Sequence, residues 1–95
     1  MANFVLTCID KPDSLALRMA NREAHLAYVR EHPSFVRLAG PLLDGRGEMA
    51  GSLFIVEAGD IAEVEAFTAS DPYAAAGLFE RVEIRAWRAT VGAVP

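Results

Sequence analysis

Residues 69–87, "ASDPYAAAGLFERVEIRAW", change character at their midpoint: an acid, a proline and a tyrosine precede three alanines and a glycine, and beyond Gly77 the residues alternate. In "LFERVEIRAWRATV", Val82, Ile84 and Ala86 point one way and Glu83, Arg85 and Trp87 the other, as period two along a strand requires. Just before it, "PYAAAG" reads as a short turn of helix. Pro72 suits a first helical position, where its missing N–H is not needed, and Gly77 suits the end. Asp71 is placed to cap that turn, accepting from free amides at its positive end. The chain therefore closes on a helix that hands over to a strand, and the elements before it decide what sheet that strand joins.

Working back from this stretch, "GDIAEVEAF" opens a helix in which Asp60 and Glu63 are spaced as a capping box. Ile61, Val64 and Phe67 give it an apolar face, and it should stop near Ala69. Phe35 to Leu43 and "SLFIVEA" read as strands, joined by the turn residues of "DGRGEMAG" into a hairpin. Asn3 to Ile9 is an apolar, β-rich run closed by "DKPD", again a strand ending in a turn. Between it and the hairpin, Ser14 to about His32 reads as one long helix. Leu15, Met19, Leu26 and Val29 recur at helical spacing, Asp13 or Ser14 can cap the start, and the residue before Pro33 resists helical geometry.

The order strand, helix, strand, strand, helix, strand is the βαββαβ plan of ferredoxin-like α+β folds: an antiparallel sheet carrying both helices on one face. The other face must meet water, a ligand or a second subunit. The sequence is 53% hydrophobic, high for a chain of 95 residues, which favours a second copy as the cover and predicts a homodimer. That length accommodates one domain, residues 1–95. A net charge of −4 argues against a nucleic-acid surface, which needs clustered Lys and Arg. Cys8 is alone, so no internal disulfide or cysteine-based zinc site is expected, and it reads as a buried thiol. No run approaches the roughly 20 apolar residues of a membrane helix, and "MANFVLTCIDK" has no secretory pattern, so the cytoplasm is the expected compartment. No cofactor is expected, because the glycines of "GPLLDGRGEMAG" lack nucleotide-binding spacing. No metal is expected either: His25 and His32 stand nearly two helical turns apart, with no standard ligand motif nearby.

Several residues break these patterns. Arg22 falls in the middle of the long helix's apolar stripe, with Arg18 and His25 along the same edge. Snorkelling explains arginines whose stems cover apolar surface, more readily for Arg18 than for Arg22, and a lone His25 reads as an ordinary hydrogen-bonded histidine. Gly40 and Pro41 interrupt a strand, which marks a bulge or a place where something approaches the backbone.

Taken together, "DKPDSLALRMANREAHLAYV", "LAGPLLDG", "GSLFIVEA" and "ASDPYAAAGLFERVEIRAW" resemble the YciI-like, or YCII-related, family over almost the whole chain. The last segment is the most specific. Two departures stand out: Ala86 occupies a place where proline is common, and the loop after Gly40 and Pro41 is short. The resemblance implies sheet-to-sheet pairing into a dimeric α+β barrel. It also implies a site centred on His25 and Asp71, with Arg22, Gly40, Pro41, Ser52 and Tyr73 as substrate-binding neighbours. A carboxylate beside an imidazole fixes its tautomer, so such a pair suits general acid/base proton transfer of the elimination or isomerisation type in a cleft of the homodimer. Arg22 or amides near Gly40 would balance negative charge, and activated phenols, quinols or halogenated aromatics fit this chemistry. The same residues are equally compatible with a non-catalytic domain that binds a small organic or anionic metabolite, or with a structural link between the first helix and the turn before the last strand.

Overall fold

The computed structural model describes residues 2–93. The elements run β1 (Ala2–Asp10), α1 (Leu15–Ala20), α2 (Arg22–Arg30), β2 (Val36–Leu43), β3 (Met49–Ala58), α3 (Ile61–Ala69), α4 (Pro72–Ala75) and β4 (Phe79–Trp87). The strands form one sheet in the order β2-β3-β1-β4, every pairing antiparallel. This is the ferredoxin-like arrangement expected from the element order.

Period two decides which residues of β1 face the helices. Phe4, Leu6, Cys8 and Asp10 are buried there, while Val5, Thr7 and Ile9 lie on the opposite face and are half-buried. On β3 the register sets Phe54 beside Leu6 and Val56 beside Phe4, and on β4 it sets half-buried Ile84 beside Leu6, whereas Val82, beside Cys8, stays exposed at the margin. Val64 and Phe67 of α3 complete this core, with Tyr28 and Val29 of α2 packed against it. The far face of the sheet, with Val5 opposite Ile55 and Leu38 beside Ile55, carries no helix among the described residues.

Two local expectations hold in detail. Asp60 caps α3 by accepting from the Glu63 amide at 3.1 Å, and Asp71 caps α4 by accepting from the Tyr73 amide at 2.9 Å. The hairpin turn closes on the Asp44 carboxylate, which accepts from the amides of Arg46 and Glu48, with Gly47 at φ +80.

The long helix, by contrast, is broken. Asn21 sits at φ −111, ψ 4, outside helical geometry, and its side-chain Nδ2 donates to the Leu17 carbonyl at 2.9 Å. An asparagine that competes for a backbone carbonyl in this way ends a helix, and a second one restarts at Arg22. The stripe read from spacing is also not the buried one, since Leu15 is 36% exposed and Met19 51%, whereas Arg18 is 2% exposed. Neither Asp13 nor Ser14 caps α1: Asp13 has φ 55, and the Ser14 hydroxyl donates to the Pro12 carbonyl instead. The interruption expected at Gly40 and Pro41 is likewise absent. Both pair in register with Leu53 and Ser52, the irregularities fall at Val36/Leu38 and Leu42/Leu43, and a Cβ on Gly40 would meet nothing within 4 Å. Proline is tolerated there because β2 is an edge strand. The glycine that a close approach does require is Gly51, where a Cβ would lie 2.6 Å from the Cys8 carbonyl oxygen.

Candidate active site

α1 and α2 cross the sheet on the β2 side and leave a cavity of about 150 Å³ between themselves and the hairpin. Arg18, Arg22, His25, Ser52 and Tyr73 supply its polar groups, and Leu26, Val29, Pro41, Met49 and Phe54 most of its apolar wall. Gly40 lines it too, so six of the seven residues singled out from the sequence, Arg22, His25, Gly40, Pro41, Ser52 and Tyr73, border one space. The seventh, Asp71, stands behind His25 and does not border it.

His25 is 7% exposed and Asp71 1%. The imidazole Nδ1 lies 2.9 Å from Asp71 Oδ1 and 3.0 Å from Oδ2. Asp71 Oδ1 also accepts from the Tyr73 amide, so the carboxylate is an acceptor on every side and Nδ1–H is the donor of the pair. This fixes the tautomer of the neutral ring, in which Nε2 carries the lone pair. No protein group bonds Nε2 among the described residues, and it is not sealed from solvent, so it is the nitrogen presented to the cavity. The ring stacks on Tyr73 with centroids 4.0 Å apart and planes 14° apart, and meets Phe54 edge-on at 5.9 Å. Asp71 thus does two things at once, opening α4 with one oxygen while both oxygens hold the histidine.

Arg18 is not a snorkelling residue. It is buried, its Nε donates to Asp10 Oδ2 at 2.7 Å, and its Nη2 donates to Ser52 Oγ at 2.6 Å and to the Gly51 carbonyl. Its Nη1 reaches the Tyr73 hydroxyl at 3.4 Å, and its guanidinium carbon lies 4.6 Å from the Tyr73 ring centroid. Removing one partner of such a buried pair strands the other charge, at a cost of about 3–5 kcal/mol. Arg18 and Asp10 are the residues of this site that the sequence reading missed. The signal was there: Asp10 shares the period-two face of Phe4, Leu6 and Cys8, and Arg18 precedes His25 by two helical turns on one stripe.

Burial pushes the Tyr73 phenol above its ordinary range, with the Arg18 and Arg22 guanidiniums offsetting part of the rise, so Tyr73 stays protonated. Burial also pushes the Cys8 thiol up to about 12, with Asp71 and Asp10 adding to the effect, which leaves it inert as a nucleophile. The Tyr28 phenol is raised by burial as well, and its hydroxyl ties α2 to α3 by donating to the Phe67 carbonyl at 2.7 Å. Among the described residues no group of three or more His, Cys, Asp or Glu side chains could hold a metal ion, and no helix is long and apolar enough to cross a membrane.

The fold and the site together define a ferredoxin-like domain that holds a buried His–Asp pair against a small cavity beside its edge strand. The family model of the YCII-related domain matches residues 2–88, and the chain belongs to that family. It is 34% identical over 93 residues to Protein YciI of Escherichia coli O6:H1, covering 90% of this chain and 95% of the relative, and matches Protein YciI of Shigella flexneri to the same extent. A solved relative is 5-chloro-2-hydroxyhydroquinone dehydrochlorinase (TftG) from Burkholderia phenoliruptrix AC1100, in complex with 2,5-dihydroxybenzoquinone. It superposes with a TM-score of 0.85 at 34% identity, over 90% of this chain and 93% of that one. An antibiotic biosynthesis monooxygenase shares the fold alone, with a TM-score of 0.58 at 13% identity over 96% of this chain and 100% of that one.

Proposed function

We propose that this chain is a small-molecule enzyme in which Asp71 orients His25 and His25 Nε2 moves a proton on a ring substrate in the adjoining cavity. The observation that carries the reading is the Nδ1–carboxylate contact at 2.9 and 3.0 Å, which leaves the second ring nitrogen as a directed base on the cavity side. Size supports a single ring, since a protein cavity of about 150 Å³ holds one benzene. Arg22, half-buried on the cavity wall, supplies positive charge for a phenolate or enolate oxygen.

The likeness to the dehydrochlorinase points to halogenated hydroquinones as the first class to try. For such a substrate the balance is the loss of one HCl. His25 takes a hydroxyl proton and returns it to the chlorine-bearing carbon, giving a ketone. Chloride then leaves with the C–Cl electron pair as a second hydroxyl gives up its proton, and a quinone remains. No oxidant is needed. In the active form two copies pair through the uncovered sheet face, where Val5, Leu38 and Ile55 lie together.

Anaerobic incubation with 5-chloro-2-hydroxyhydroquinone tests the reading through chloride release. The wild type should exceed the protein-free rate, and His25→Ala should lose about 100-fold or more of that excess, the usual contribution of a general acid or base. Tight binding of 2,5-dihydroxybenzoquinone with no turnover of any halogenated hydroquinone would replace the enzyme reading by one of metabolite binding.

A further inference from the structure

We propose that Arg18, anchored by Asp10, is a positioning residue that turns the Ser52 hydroxyl into a hydrogen-bond donor aimed at the cavity, so that the cavity binds its ligand through an anionic oxygen. The proposal rests on the enzyme reading of the cavity for the identity of the site. It adds how charge on the ligand is recognised.

Lone pairs decide the chemistry. Arg18 is donor-only, and its Nη2 lies 2.6 Å from Ser52 Oγ, so the serine oxygen must accept there and its own hydrogen must point elsewhere. Among the described residues no protein acceptor takes that hydrogen, and Ser52, 3% exposed, lines the cavity. The same guanidinium reaches the Tyr73 hydroxyl at 3.4 Å, fixing that oxygen too as an acceptor toward Arg18 and a donor away from it. Asp10 keeps Arg18 in place with contacts at 2.7 and 3.4 Å, and the Gly51 carbonyl completes the clamp. The other charged or titratable groups on the cavity are Arg22 and His25 from α2 and Tyr73 from α4, and β2 contributes only Ala39, Gly40 and Pro41. Apart from the His25 lone pair, the polar side chains on the cavity offer donors: Arg18, Arg22, Ser52 and Tyr73. A ligand oxygen carrying negative charge is therefore favoured over its protonated form, and the base and the oxyanion donor sit on different walls. Ser52 thereby joins Arg22 in the charge-balancing role that the sequence gave to Arg22 or to amides near Gly40.

The test uses 4-nitrophenol, whose absorbance separates phenol from phenolate. Bound to the wild type, the probe should ionise at lower pH than it does free. Ser52→Ala should raise its bound midpoint by about one pH unit or more, a tenfold loss in ionisation constant and the size of one charge-assisted hydrogen bond. Arg18→Met should give a similar rise, and the double variant should add little to either single one, because one acts through the other. The Ser52→Ala shift should persist in a His25→Ala background, where turnover is already lost, so failure of the catalytic reading leaves this outcome standing. If Ser52→Ala ionises the probe as the wild type does, or if only Arg18→Met shifts it, the hydroxyl relay is wrong. Failure of the wild type to bind millimolar 4-nitrophenolate in preference to the phenol overturns the proposal as well. Should Arg18→Met not fold, the comparison of Ser52→Ala with wild type decides the matter alone.

Discussion

Asp71→Asn separates the two duties of one carboxylate. In the native site Asp71 accepts three contacts, two from His25 Nδ1 at 2.9 and 3.0 Å and one from the Tyr73 amide at 2.9 Å. Asparagine keeps one carbonyl oxygen, which the α4 cap uses, and turns its NH₂ toward Nδ1. Nδ1 must then accept, the ring proton moves to Nε2, and the nitrogen facing the cavity becomes a donor instead of a base. Turnover should fall by about 100-fold to 10,000-fold, the worth of general base catalysis. Stability should fall by about 1–1.5 kcal/mol, because a charge-assisted bond at a site 1% exposed is replaced by a neutral one while the cap survives. Asp71→Ala removes the cap as well and should cost about 1 kcal/mol more, with no larger effect on turnover. Chloride release measures the first quantity and urea denaturation the second. Nitrogen NMR of His25 measures the tautomer directly. A variant that keeps the Nδ1-protonated ring, or that retains turnover within a few-fold of wild type, would refute the assignment of Asp71 as the group that orients His25.

Other consequences can be checked in the same preparations. Cys8 has a folded pKa raised from the ordinary 9.0 to about 12, so its contribution to stability is complete below pH 9 and is lost as pH rises toward 12, by about 1.4 kcal/mol per pH unit. Tyr28 and Tyr73 are raised from 10.0 and steepen the decline above that pH, and Cys8→Ala should remove only the part that begins near pH 9 in denaturation curves. Gly51→Ala places a Cβ 2.6 Å from a backbone carbonyl and should cost about 1–3 kcal/mol, while Gly40→Ala, with nothing within 4 Å, should stay within about 0.5 kcal/mol of wild type by the same assay. For the proposed dimer, Val5→Lys would bury a charge in the paired sheets, so sedimentation should show a monomer with unchanged far-UV circular dichroism. A wild type already monomeric at micromolar concentration would remove the pairing from the reading.

Much of the architecture arises from local chemistry, and that part was legible in the sequence. The alternation of Val82, Ile84 and Ala86 with Glu83, Arg85 and Trp87 marks β4 and the side it turns toward the helices, because the side-chain period of a strand is set by the backbone alone, although only Ile84 of the three is half-buried there. Asp60 and Asp71 cap their helices from positions adjacent in the chain, and the turn chemistry of "DGRGEMAG" closes the hairpin within a few residues. The tertiary structure decided the rest. Spacing placed Leu15 and Met19 in the core and Arg18 at its edge, and the fold reverses this. Asp10, brought to the same end of the sheet by β1, provides the counter-charge that makes burying a guanidinium tolerable, and no helical periodicity contains that information. The contact between His25 and Asp71 spans 46 positions in the chain. Family resemblance implied it, but only the packing of α2 against α4 brings the two side chains together, turns Nε2 to the cavity and leaves Asp71 behind it. Local sequence carries propensities that act over a few residues, whereas the pairing of buried charges depends on which elements the sheet order brings together.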